Sequence, residues 1–398
     1  MNNRNKKHGS IMVVILIIVI VMSIVGIGIL CLGFHGRMMA IRSSTAIAAR
    51  CAADAALADA VFHMNQKIKV KPWDNSTLPS ASNVSLPGCN ASFDYTVSQA
   101  GGDYIVQATG RSAKVVHAVD GFLRIQSVFD YALFARDAIE LKNSATIDWI
   151  NNQPGDSPLQ VGTNSTNNGA IILKNGSNVK GDVVVGVGGD PLDVINGIEN
   201  IEGRTYAMFY RAVLTPIVVP AWLVSMPSGG DIKNTTTIST SGKYDNIDLG
   251  NSETITITEP VSLYITESID LGNSAGIIIG GSGDTDNDAA LTIYLAGDLE
   301  GKNGAGINNL TADAKRFTLY GLDSCANIRL KNGNVFYGTL FAPNASVDMD
   351  NSVAAYGSVI GQNIGLKNGG IFYYDAALRD RTVNDEAVRF VVHRWAEH

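Results

Sequence analysis

The 398-residue sequence predicts a mainly β protein: a right-handed parallel β-helix, preceded by a small antiparallel meander and by one long helix that crosses a membrane and continues as a stalk. Three observations carry this reading. Ile11 to Leu32 is an apolar run without a single charged residue. A short phrase ending in Asn-Ser or Asn-Gly returns from residue 139 to residue 369, each time after alternating apolar residues. The composition is rich in Gly, Asn, Ser and Thr, with 17% charged and 7% aromatic residues, which suits short strands joined by tight turns.

Residues 1–9 form a basic leader, MNNRNKKHG, and residues 10–34 a transmembrane helix. At about 1.5 Å of rise per residue, the run from Ile11 to Leu32 spans roughly 33 Å, against ~30 Å for a bilayer's hydrocarbon core. A buried helix of a soluble protein keeps a polar face, and this run has none. Arg4, Lys6 and Lys7 before the run nearly balance Arg37, Arg42 and Arg50 after it, so charge counting alone leaves the orientation open. The compact leader and the large β domain that follows favour the C-terminal part lying outside. A cleaved signal peptide is the rival reading, with Ala46-Ile47-Ala48 as its small-residue site; the apolar run is too long for the usual hydrophobic region of about 7–15 residues.

Residues 35–68 read as an Ala-rich stalk helix, free of Pro and of internal Gly after Gly36. Ala49, Ala52, Ala53, Ala56 and Ala60 recur at helical spacing on one face and permit close approach. That face suits either neighbouring copies or the chain's own β domain. The junction Gly9-Ser10, the apolar helix and the stretch Arg42-Ser-Ser-Thr-Ala-Ile-Ala-Ala-Arg50, followed by Cys51-Ala-Ala-Asp-Ala-Ala-Leu-Ala-Asp59, together resemble the N-terminal domain of PilX-type pilus assembly proteins over residues 9–66. The resemblance implies cleavage between Gly9 and Ser10 by a prepilin peptidase, residence in the bacterial inner membrane as a single-pass protein with its C-terminal domain in the periplasm or at the cell surface, and other pilin-like subunits as partners. Major pilins carry Glu at the fifth mature position, where this chain has Val14, so the resemblance implies a minor subunit.

Residues 69–128 comprise a linker broken by Pro72, Pro79 and Pro87 and a three-stranded antiparallel meander from Ser92 to Ile125, in which His117 is a strand residue. Residues 129–376 carry the β-helix. The returning phrase places Asn143, Asn175, Asn251, Asn273, Asn303, Asn332, Asn351 and Asn368 at equivalent points, at intervals near twenty or thirty residues, as solenoid rungs with loop insertions allow. Each Asn suits a left-handed corner, and stacked on its equivalents it forms an amide ladder. Between residues 247 and 279 Ile, Leu and Val alternate with polar residues, which puts the apolar side chains on one inward face. Arg204 to Gly230, with its three prolines, is predicted to leave the repeat and lie along its side. Residues 377–398 are predicted to cap the last rung through Ala387–Trp395.

Little in the chain points to chemistry. Asp284, Asp286 and Asp288 stand at alternate positions, as in the opening of a calcium loop, but Ala289 replaces the loop's Gly and Leu295 its bidentate Glu, which makes an acidic turn the simpler reading. His8, His35, His63, His117, His393 and His398 form no triad or metal set in sequence, and Cys31, Cys51, Cys89 and Cys325 lack metal-ligand spacing. Acids such as Asp248, Asp270 and Asp348 read as a solvated outer face at differing points of the repeat. A net charge of −7 argues against nucleic acid. The expectation is a non-catalytic structural protein without cofactor, displaying the solenoid toward surface glycans or other subunits. Two alternatives stand beside it. A tethered carbohydrate-active enzyme requires acids converging on one groove. A self-polymerising scaffold requires an uncapped apolar end rung, and residues 338–361 loosely resemble the bactofilins.

Overall fold

The computed structural model describes residues 10–398 except 71, 102, 154, 156, 282–287, 381 and 385–387. The chain forms two compact units, one of Met1–Ile125 with Arg389–His398 and one of Gln126–Val388. The second is therefore inserted into the first.

The smaller unit is built on α1, a single helix of 58 residues from Ser10 to Lys67, about 87 Å long at the usual rise. Its first part is exposed, apolar and long enough to be a candidate membrane span. Its second part packs on an antiparallel sheet. Ala49, Ala52, Ala53, Ala56, Ala60 and Met64 are fully buried there, so the small-residue face is spent on the chain's own strands. The reason is backbone approach. At Gly110 a Cβ would fall 2.0 Å from the Ala49 carbonyl oxygen, and at Gly121 one would fall 2.3 Å from Leu57 Cδ1.

That sheet contains β1 (Ser80–Ser85), β2 (Ala91–Ala100), β3 (Asp103–Ser112) and β4 (Val115–Ser127) in sequential antiparallel order. Its fifth strand is Val388–Glu397, next to β4. This corrects the expectation of a C-terminal cap on the repeat. VRFVVHRWAE is a strand-forming segment that needs a pairing edge, and β4 offers one. The strand is also fixed from the helix: Asn65 Nδ2 donates to the Phe390 carbonyl at 2.9 Å, and the Phe390 N–H donates to Asn65 Oδ1 at 2.7 Å. Phe390 is buried, and the Arg394 guanidinium lies 4.1 Å from the Phe122 ring centre.

The larger unit is a 23-stranded sheet system whose strand pairs are parallel among the described residues. Strands join in three files. Ile247–Leu249, Ile269–Leu271, Leu299–Gly301 and Asn327–Lys331 pair in turn within the first. The second contains Thr254–Ile257, Gly276–Ile279 and Gly306–Asn309, and the third Pro260–Ile265, Ala290–Leu295 and Phe317–Gly321. The long strands Val335–Asp350 and Ala354–Lys367 take part in all three files. Alternation puts Ile247, Leu249, Ile255, Ile257, Leu263, Ile265, Ile269, Leu271, Ile277 and Ile279 into one core at 0–2% exposure.

The stacking order is not the chain order. Leu133–Lys142, early in the unit, pairs with Ala354–Lys367 on one side and with Gln160–Thr163 and Ile171–Lys174 on the other. The chain thus begins in the middle of the stack and builds outward to Thr205–Ala207. It restarts at the opposite end, at Thr236–Ile238, and returns rung by rung to meet its own beginning. The connection is the proline-rich excursion. Met208, Ala212, Leu214, Ile217, Val219, Leu223 and Met226 cover an outer file that includes Phe134, Tyr294, Tyr320, Phe341 and Ile360, forming a second core. Asn164 ties it down, exchanging hydrogen bonds of 2.9 and 3.0 Å with both backbone groups of Ala212.

Candidate functional site

The eight phrase asparagines lie on one exposed edge, in the spatial order Asn251, Asn273, Asn303, Asn332, Asn351, Asn368, Asn143, Asn175. The residue after each Asn donates its N–H to the carbonyl of the next Asn in this order: Ser252 to Asn273, Ser274 to Asn303, Gly304 to Asn332, Gly333 to Asn351, Ser352 to Asn368, Gly369 to Asn143 and Ser144 to Asn175, at 2.8–3.1 Å. The side chains run the other way. Asn175 Nδ2 donates to Asn143 Oδ1 at 2.9 Å, Asn143 to Asn368 at 2.7 Å, Asn368 to Asn351 at 2.8 Å, Asn351 to Asn332 at 2.7 Å, and Asn332 to Asn303. Asn273 donates to Asn251 at 3.0 Å. The amide dipoles therefore share one direction, which lets neighbouring bonds polarise one another.

The corners are of two kinds. Asn143, Asn175, Asn332, Asn351 and Asn368 have φ of 55–61°, and the Ser or Gly after each is left-handed as well, the pattern of a type I′ turn. At Asn251, Asn273 and Asn303 only the following Ser252, Ser274 or Gly304 has positive φ. The expectation of a left-handed Asn at every corner is corrected for these three.

Beside the asparagines runs a file of charge. Lys331, Asp350, Lys367, Lys142 and Lys174 are in register, and Lys302 precedes Asn303 as Lys331 precedes Asn332. Two residues further back, Asp248, Asp270, Glu300, Arg329, Asp348, Gly365 and Glu140 share another register position. The rung acids are therefore equivalent, contrary to the sequence reading; unequal insertions between rungs hide the register. Lys142 and Lys367 both pair with Glu140, the latter at 3.0 Å, and Lys331 approaches Glu300 at 3.6 Å. Burial pushes the Glu140 carboxyl up, but hydrogen bonds and charge from the two lysines outweigh it and hold it below its ordinary range. Lys174 and Lys302 are exposed and carry no ion pair among the described residues. A second polar corner centres on Asp298. Burial raises its carboxyl, yet donors from Asn327 and Ala326 at 2.8–3.0 Å bring it below the usual value.

Other residues singled out from sequence are dispersed. Gly9, Asp284 and Asp286 lie outside the described residues, and Ser10 opens α1. Asp288 is exposed, with its carboxylate 3.5 Å from Arg316. His117 sits on β4, 3.9 Å from Glu397. The four cysteines are free thiols, and burial pushes that of Cys325 up to about 12. At one end of the stack Ile232 and Ile238 are 8% and 7% exposed; at the other Val194 and Ile195 are 0% and 4% exposed, while Ile198 and Ile201 are half-buried and Leu192 is 73% exposed. Sequence reasoning missed the lysine file as a unit, although Leu-Lys-Asn in four of the phrases carries its signal.

A family model described as a domain of unknown function (DUF7305) matches residues 222–381. No curated protein sequence matches the chain. Among solved structures, an ice-binding protein from the Antarctic ascomycete Antarctomyces psychrotrophicus is similar at 12% identity and a TM-score of 0.30, covering 61% of this chain and 94% of its own. A glycosylated ice-binding protein from an Arctic yeast is similar at 15% identity and a TM-score of 0.29, covering 62% and 91%. The competence-associated pilin ComZ from Thermus thermophilus is similar at 14% identity and a TM-score of 0.21, covering 89% and 97%.

Proposed function

We propose that this chain is a membrane-anchored, minor pilin-like protein of the bacterial cell envelope that displays a non-catalytic parallel β-helix. The observation that carries the reading is the insertion. The repeat unit leaves the helix-on-sheet unit after β4 and returns as that sheet's fifth strand, so the anchored unit holds the repeat by both of its ends. In this reading the span lies in the inner membrane and the β-helix outside it. The continuity of α1 from the apolar run into the Ala-rich segment, together with the PilX-type resemblance of residues 9–66, supports it. A display role without catalysis is favoured because Glu300 and Glu140 of the acid file are tied to lysines and Arg329 and Gly365 interrupt it. The covered Ile232 and Ile238 at one end argue against end-to-end polymerisation of the bactofilin kind, which needs both ends open.

The test is mass spectrometry of the mature N-terminus in cells with and without prepilin peptidase. The reading expects Ser10 as the first residue only when the peptidase is present. Met1 retained in both, or a start near Ala49, would leave an anchored or secreted β-helix with no place in a pilus system.

A further inference from the structure

We propose that the Asn–Lys edge is a docking strip for an extended acidic polysaccharide, lying along the stack with one sugar to each rung. The proposal deepens the display reading above by naming what the displayed surface takes, and it can fail while that reading stands.

Four features of the edge argue for it. First, the strip is open: all eight asparagines are exposed, as are Lys174 and Lys302. Second, each amide is only half used. An Asn side chain offers two N–H donors and two lone pairs, and the ladder takes one of each between neighbours from Asn332 to Asn143. One donor and one lone pair per rung remain for solvent, the complement of a sugar hydroxyl, which also donates and accepts. Third, the local charge opposes that of the whole chain. Over the six rungs from Asn303 to Asn175, Lys302, Lys331, Lys367, Lys142, Lys174 and Arg329 face Glu300, Asp348, Asp350 and Glu140, and Glu140 is already claimed by two lysines, whereas the two rungs of Asn251 and Asn273 carry Asp248 and Asp270 and lie outside the cationic part. An excess of cations on a protein of net charge −7 favours an anion at this place.

Fourth, the pitch selects the polymer. Rungs follow at about 4.8 Å, the spacing of paired strands. A linear chain of pyranose rings advances by nearly that distance per sugar. An extended peptide advances about 3.3–3.4 Å per residue, and duplex phosphates about 3.4 Å per strand, so neither stays in step beyond two or three rungs. Asn303 to Asn175 gives six rungs, roughly 24 Å of matched edge. In an extended two-fold chain every second sugar turns its carboxylate to the same side, two rungs apart, where it would meet the lysine file while the hydroxyls between meet the amides.

Full-length protein in detergent micelles would be titrated with oligogalacturonates of two to eight sugars, with neutral maltooligosaccharides of equal length and with polyglutamate. Expected is binding of the uronates that tightens with each sugar up to about six, weakens with added salt, and is absent for the neutral sugars. Lys174→Gln with Lys302→Gln, which breaks no ion pair among the described residues, should weaken it about tenfold; Lys69→Gln with Lys114→Gln, both in the other unit, should leave it unchanged. No uronate binding, no dependence on length, polyglutamate binding equally well, or equal losses from both pairs of substitutions would overturn the proposal. None of these outcomes touches the cleavage at Ser10, so failure here and failure of the pilin-like reading are separable.

Discussion

At the corners of the repeat unit, identical residues do different work. Asn368 has a φ of 55°, a conformation that costs a residue with an ordinary side chain about 1–2 kcal/mol, and it also holds two rungs of the amide ladder. Asn251 makes a ladder bond without left-handed backbone. Asn368→Ala should therefore destabilise by about 2–3 kcal/mol and Asn251→Ala by about 1 kcal/mol or less. Asn368→Gly should fall between them, because glycine removes the backbone cost and leaves only the lost amide. Urea unfolding of the three variants checks this order. The Asn positions were legible because the phrase around them is short and repeated. Which residue turns left-handed was not, since Gly250-Asn-Ser and Lys142-Asn-Ser differ by one residue before the Asn and fold into different turns. Acid gives a second check. Glu140 and Asp298 both sit below their ordinary values of 4.5 and 3.8, so the stability they contribute is complete above those values and is lost as pH falls through the lower, folded-state range. Glu140→Gln should flatten the decline in melting temperature below about pH 4.5.

Secondary-structure elements were legible where composition forces them. Charge-free apolar sequence and then alanine make one helix; three prolines make the excursion leave the strands. The role of the alanines was open in sequence, because helical spacing states that a face is small but not what it meets. Gly110 answers that question. Gly110→Ala would push a Cβ into the Ala49 backbone and should destabilise by about 1–3 kcal/mol or more, whereas the same change at Gly88, with nothing within 4 Å, meets only its positive φ. Thermal melts compare the two. The excursion, too, is anchored by burial. Leu223→Ala, at a fully buried position against the outer aromatic file, should cost about 2–5 kcal/mol and raise the rate of proteolysis between residues 209 and 222. The final strand was misassigned as a cap for a simple reason. An apolar, β-branched segment needs an edge, and sequence does not say which of several edges it finds.

At the level of the molecule, the order of stacking was invisible in the sequence. Any two copies of the phrase can pair, and the chosen pairing joins residues more than two hundred apart: Asn143 Nδ2 meets Asn368 Oδ1, Gln362 meets Asp137 at 2.9 Å, and Asn151 meets Asp375 at 2.9 Å. Starting in the middle of the stack brings both ends of the inserted unit to the same region. The Tyr374 hydroxyl donates to the Phe129 carbonyl at 3.2 Å, just inside the unit's two boundaries. Both ends of the stack are then free of the inserted unit's chain ends, and the edge with its amides and lysines runs unbroken across the join. A cysteine pair across that join tests this most directly. Strands about 4.8 Å apart fall within the Cα separation a disulfide accepts. In a Cys51→Ser, Cys89→Ser background, Asn143→Cys with Asn368→Cys should cross-link on mild oxidation as readily as Asn351→Cys with Asn368→Cys. Asn143→Cys with Asn251→Cys should not. Cross-linking of residues 351 and 368 without any between 143 and 368 would mean that the rungs follow chain order, and the stack described here would be contradicted.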